Sequence, residues 1–131
     1  MPDKKIPRFR QTGHLALART MTEAIPDLRK FDLGAGIDMI FIRLAIILGS
    51  MENRPVNISN LAELTRIPRP TLKRKVDRLA KAGLVDVRQS GKRRLIYSSH
   101  NARAADREEM LNFLCYLSIK IATIVATEII S

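Results

Sequence analysis

Between His14 and Phe31 the stripe His14, Ala18, Met21, Ile25, Leu28 advances in alternating steps of four and three, which marks one face of an α-helix. Pro26 lies inside that run; it removes a backbone donor and crowds the preceding turn, so a kink or break is expected near Ile25. The breaker "DLGAG" follows, and then "IDMIFIRLAIILGS" is apolar nearly all round, the pattern of a buried helix, with Gly49 as its end. After a short extended "PVNIS", Ser59 or Asn60 caps a short helix whose Leu61 and Leu64 face inward, and Glu63 completes a capping box if Asn60 is the cap. In Ile67-Pro68-Arg69-Pro70 each proline pushes its predecessor into extended backbone. This predicts a tight turn, with Pro70 as the first residue of the next helix.

In that helix Leu72, Val76 and Leu79 form a buried stripe. At about 100° per residue, Pro70, Lys73, Arg74, Asp77 and Lys81 fall on the opposite side, with Thr71 and Arg78 on a flank. Gly83 closes the helix. The alternation of Val85 and Val87 with Asp86 and Arg88, a turn at Ser90-Gly91 and a return through Leu95 to Tyr97 predict a β-hairpin. Its tip carries Lys92, Arg93 and Arg94. The last segment, from Asp106 on, keeps its polar residues in a narrow stripe, Asn112, Tyr116, Lys120, Thr123 and Thr127. A helix apolar on most of its circumference needs partners on several sides.

Charge sharpens this picture by its location. The 131-residue chain has a net charge of +10. Arg66 to Arg94 holds eleven Lys/Arg against Asp77 and Asp86, a balance of +9, and the rest of the chain is nearly neutral. Such a segment suits a polyanion. An acidic protein partner for a docking module is the alternative function, and RNA is a third; Arg66 to Arg94 contains no aromatic residue before the hairpin returns, where an RNA-stacking platform needs them.

Other chemistry finds little support. The two histidines, His14 and His100, and the single Cys115 have no metal-ligand spacing, so neither metal nor cofactor is expected. Glu108 and Glu109 are adjacent and point apart on a helix, and with Asp106 they complement its N-terminus better than they make a catalytic pair. "GAG" is too short a match for a phosphate loop. No enzyme is expected. Cys115, on an apolar helix without a neighbouring cation, is expected in the core, and one cysteine in the chain fits a reducing cytoplasm. "MPDKKIPRFR" lacks the apolar run of a secretion signal. Met110 to Ile130 has the length of a membrane anchor, but Lys120 near its centre and Glu128 oppose insertion by about 2.5–3.5 kcal/mol for a charge at mid-bilayer.

Helix, turn, basic helix, Gly-Leu-Val and a basic hairpin is the order of a winged helix-turn-helix. Over Ile58 to Tyr97 the chain resembles the DNA-binding lobe of the MarR family of bacterial transcription regulators, through Leu61-Ala62, Arg69-Pro70-Thr71, Val76-Asp77-Arg78-Leu79 and Gly83-Leu84-Val85. It departs from the family where Pro68 replaces the usual capping serine and where the wing "SGKRR" lacks an acidic residue beside its arginines.

The expected fold is mainly α with a small β-hairpin wing: a flexible basic arm over 1–13, supporting and dimerising helices over 14–55, the winged lobe over 56–100 and a dimerisation helix over 101–131 capped by Asn101. The resemblance implies a cytoplasmic homodimer that regulates transcription on palindromic double-stranded DNA, with no membrane, and with a small effector between the dimer helices and the lobe. Arg69, Pro70, Thr71, Lys73, Arg74, Asp77 and Arg78 are the expected recognition-helix contacts, and Arg88, Lys92, Arg93 and Arg94 those of the wing. Leu114, Leu117, Ile121 and Val125 are the expected dimer contacts.

Overall fold

The computed structural model describes residues 6–99 and 104–130. A long helix α1 (Gln11–Leu28) passes through a 3-10 turn (Arg29–Phe31) to α2 (Ile37–Met51), followed by α3 (Ile58–Thr65) and α4 (Arg69–Lys81). A hairpin of β2 (Val85–Ser90) and β3 (Arg93–Ser98) precedes the long α5 (Ala104–Glu128). Two-residue strands, β1 (Arg8–Phe9) and β4 (Ile129–Ile130), pair antiparallel and tie the ends of the chain together. The fold is therefore mainly helical, a winged helix-turn-helix flanked by terminal helices.

α2 is apolar all round because it serves two cores. Met39, Ile42, Ala45 and Ile46 pack with Leu61, Leu72, Val76, Leu79, Val85 and Ile96 in the lobe. Ile40 and Ile47, on the other side, meet Phe31 and Met110, with Leu111, Phe113 and Leu114 of α5 around them. A boundary between 55 and 56 thus cuts through the lobe's own core. A third cluster joins α1 to α5 through Ala24, Leu28 and Leu117.

Several local expectations are corrected. α1 continues past Ile25 to Leu28, because Pro26 falls in the last turn, on an exposed side, and costs only one terminal hydrogen bond. Its buried residues are Gly13, Ala24 and Leu28, whereas Ala18, Met21 and Ile25 are exposed. Residues 8–13 are not a free arm: Arg8 and Phe9 pair with Ile130 and Ile129, and the Arg10 N–H donates to the Glu128 carbonyl at 3.0 Å. Residues 1–5 of the expected arm, and Asn101, lie outside the described residues. Gly49 sits inside α2 and does not end it; a Cβ there would stand 2.7 Å from the Arg54 carbonyl oxygen, so glycine is needed for the returning chain to pass. α3 begins earlier than expected, with Asn57 as its cap and a reciprocal box to Asn60. Asn57 Oδ1 accepts from the Asn60 N–H at 2.8 Å and Asn60 Oδ1 from the Asn57 N–H at 3.1 Å. This places Leu61 in the core and leaves Leu64 65% exposed. Arg69, not Pro70, is the first residue of α4. The hairpin turns at Gly91-Lys92, since Ser90 pairs with Arg93, and Gly91 supplies the positive φ of +62° that a two-residue hairpin loop requires. Cys115 is exposed in the single chain.

Candidate nucleic-acid interface

α3 and α4 are joined through Arg66, which takes left-handed backbone (φ +60°) and donates its N–H to the Ala62 carbonyl at 3.0 Å. α4 then lies on the lobe by the expected stripe, Leu72, Val76 and Leu79, all buried. Its N-cap Pro68 makes no side-chain cap bond, and at its other end the Leu84 N–H returns to the Leu79 carbonyl at 3.0 Å. The outward face exposes Arg69, Pro70, Lys73, Arg74, Asp77 and Lys81, with Thr71 half-buried at its edge. Arg74 Nη2 leans on Thr71 Oγ1 at 3.4 Å.

The wing is held at its root. Ile96 is buried and donates its N–H to the Val56 carbonyl at 2.8 Å, while the Ser98 N–H reaches Ser50 Oγ at 2.8 Å. The tip projects freely, with Lys92, Arg93 and Arg94 exposed. Between wing and helices opens a cleft of about 650 Å³, lined among others by Asn57, Ser59, Lys73, Asp77, Arg93 and Arg94. Lys73 of the helix and Lys92, Arg93 and Arg94 of the wing thus line one concave surface.

Of the ion pairs among the described residues, Arg29–Asp32, Lys30–Asp27 and Arg43–Asp106, none lies between Arg66 and Arg94. Two expected contact residues, both exposed, also make contacts within the chain: Arg78 Nη1 donates to the Leu33 carbonyl at 3.1 Å, and the Arg88 guanidinium stacks 4.7 Å from the centre of the Tyr97 ring.

The expected dimer residues divide. Leu117 is buried against Ala24 and Leu28 of its own chain, with Leu114 and Ile121 beside it, so these three serve the α1–α5 contact. Val125 is exposed, as are Tyr116, Ile119, Ala122 and Ala126. The span Ala105–Glu128 is long and apolar enough to cross a membrane (mean hydropathy 1.6), and only 11% of its most apolar window is buried.

Sequence reasoning missed the Arg43–Asp106 pair, in which Arg43 is 3% exposed and contacts Asp106 at 2.5 Å and the Phe31 carbonyl at 3.0 Å. The signal was a lone arginine inside an apolar helix, which must carry its counter-charge with it. Also missed was Lys75, whose Nζ donates to the Ala35 carbonyl at 2.6 Å. No three His, Cys, Asp or Glu among the described residues are grouped to hold a metal ion.

Residues 45–94 match the model of the MarR family. Comparison with curated proteins gives no match. Among solved structures, a SlyA-like transcription regulator from Listeria monocytogenes is similar at 23% identity and a TM-score of 0.55, over 92% of this chain and 75% of that one. A probable transcriptional regulator from Pseudomonas aeruginosa matches at 20% identity and a TM-score of 0.52, over 86% of this chain and 79% of its own. BpsR from Bordetella bronchiseptica, whose DNA binding is regulated by 6-hydroxynicotinic acid, matches at 16% identity and a TM-score of 0.55, over 85% of this chain and 74% of its own. The lobe formed by α3, α4 and the wing accordingly has the winged helix-turn-helix fold, and over residues 45–94 the chain is similar to the MarR family.

Proposed function

We propose that the protein is a cytoplasmic, sequence-specific DNA-binding regulator of transcription that acts as a homodimer on a palindromic operator. One observation carries this reading: Lys73 of α4 and Lys92, Arg93 and Arg94 of the wing tip line one cleft, beside the exposed Arg69, Arg74 and Lys81, and no carboxylate among the described residues forms an ion pair with them. α4 enters the major groove with Arg74 and Lys73 foremost, and the wing tip places Arg93 and Arg94 against the adjoining minor groove, where narrow A·T tracts concentrate negative potential. Phosphate contacts set the register and base-edge contacts choose the sequence.

The dimer reading rests on the uncovered side of α5, where Ile119, Ala122, Val125 and Ala126 lie exposed together with Cys115. A second copy related by a two-fold axis covers such a face on both chains at once. The same length and hydropathy suit a bilayer, so sedimentation in detergent-free buffer separates the two: a soluble dimer supports the first, detergent-dependent extraction the second. A small effector fits the cavity of about 500 Å³ lined by Met21, Ile25, Leu28, Asp32, Ile37 and Ile40.

Salt dependence tests the function. If a dimer neutralises about six to ten phosphates, log K against log salt falls with a slope of roughly −5 to −9. A slope near about −1 overturns the reading in favour of a docking module with incidental charge.

A further inference from the structure

Lys75 and Arg78 belong to the basic helix by sequence, yet each directs its charge onto a backbone carbonyl of the protein, Lys75 half-buried and Arg78 at an exposed position. Three residues apart, they share one flank of α4, and both reach across to the segment that joins the 3-10 turn to α2. Lys75 Nζ donates to the Ala35 carbonyl at 2.6 Å and Arg78 Nη1 to the Leu33 carbonyl at 3.1 Å. That segment is stiffly held. Asp32, 4% exposed, accepts the Gly34 N–H on Oδ1 at 2.8 Å, and its carbonyl accepts the Ala35 N–H at 2.9 Å. Leu33 and Ala35 pack their side chains on the lobe core.

The backbone pays for this arrangement. Leu33 has φ +53°, flanked by Gly34 at +71° and with Gly36 at +85°. A leucine in left-handed backbone is rare and persists only where its surroundings over-determine it. Here the conformation keeps the carbonyls of residues 33 and 35 available to the two cations of α4. From the other end the same segment is gripped by α5: Arg43 donates from Nη1 to the Phe31 carbonyl and pairs through Nη2 with Asp106. Polar contacts therefore run without a gap from α5 through Arg43 and residues 31–35 to α4.

We infer that Lys75 and Arg78 are positioning residues for DNA readout, fastening the recognition helix to the loop of residues 32–36 and thereby to the long helices, so that they set its pose instead of binding phosphate. The inference deepens the proposed function and rests on it. In a dimer built on the long helices, this fastening fixes the distance and relative angle of the two α4 helices, and with them the half-site spacing the protein accepts.

The experiment is competition binding of the full-length protein to a duplex library with randomised half-sites and varied spacing, at several salt concentrations. It compares the wild type with Arg78→Met, Arg78→Lys, the double variant Lys75→Met/Arg78→Met, and Leu33→Gly. A cut fastening lowers the ratio of cognate to random affinity by about tenfold or more in the double variant and broadens the accepted spacing. The salt slope meanwhile stays within about one unit of the wild type. Arg78→Lys, which still offers a donor to a carbonyl, restores most of the preference lost in Arg78→Met. Leu33→Gly keeps both cations but withdraws the Leu33 side chain from the lobe core and frees the loop backbone, so it loosens the loop and reproduces the broadened spacing even if the double variant fails to fold. A slope that drops by about two in Arg78→Met, one phosphate per subunit, with base preference and spacing retained, overturns the inference, and so does an unchanged spacing preference in Leu33→Gly. Failure of the proposed function shows separately, as a wild type without any sequence preference.

Discussion

The winged lobe and the pair of long helices are built to opposite standards of completion. Leu61, Leu72 and Leu79 are fully buried, and the apolar stripes of α3, α4 and the hairpin pack with α2 in one core, leaving out residues such as Leu64. α1 and α5 touch along one seam only, and Leu15, Ile25, Tyr116, Ile119 and Val125 face outward. A closed apolar core is the signature of a unit that needs nothing further to hold its shape, whereas a contiguous open apolar surface marks an interaction site. Structure and association are thus separated in one small chain: the lobe presents a fixed cationic surface, and the helices leave open the apolar face on which the proposed second copy would dock.

That division can be broken from either side. The largest effect belongs to the open side. Ile119→Asp with Val125→Asp, both on exposed positions, gives a folded monomer in sedimentation, and losing the second half-site contact costs about 10²–10⁴ in operator affinity; a variant that stays dimeric with unchanged affinity places the interface elsewhere. Next comes the closed side, where Leu72→Ala removes a side chain with no exposure. It lowers stability by about 2–5 kcal/mol in denaturant unfolding, and a loss below about 1 kcal/mol contradicts so tight a core. Arg74→Ala disturbs neither: it leaves Tm and the dimer unchanged, costs about 1–3 kcal/mol on the cognate site and flattens base preference at one position per half-site. Lys73→Ala, in the same competition assay, weakens all sequences alike and reduces the salt slope. The smallest effect is at Leu64, apolar yet exposed: Leu64→Gln changes stability by no more than about 0.5 kcal/mol.

Legibility followed the same line. The Leu72–Val76–Leu79 stripe, the hairpin and its cationic tip were readable because period and turn chemistry there agree with tertiary burial. Boundaries were less so. Asn57 displaced Ser59 and Asn60 as the cap because an Asn-x-x-Asn pair satisfies both free donors as well as the Asn-x-x-Glu alternative does. In α1 the periodic stripe through Ala18, Met21 and Ile25 faces outward and the buried contacts are Ala24 and Leu28. Periodicity identifies a helix; it does not say which face a single chain covers and which it leaves open. The same limit applies to Leu114, Leu117 and Ile121, which are apolar at helical spacing whether they meet α1 of their own chain or a partner. Arg78 and Arg88 show the limit for charge: composition counts a cation without saying that a loop carbonyl or a tyrosine ring already holds it.

The most direct measurement is selection of the full-length protein on a library of random duplex DNA at fixed salt. A dimer reading DNA through α4 enriches inverted repeats whose half-site centres lie about 10 base pairs, or a multiple, apart. Enrichment of a lone half-site, or no enrichment at all, contradicts it.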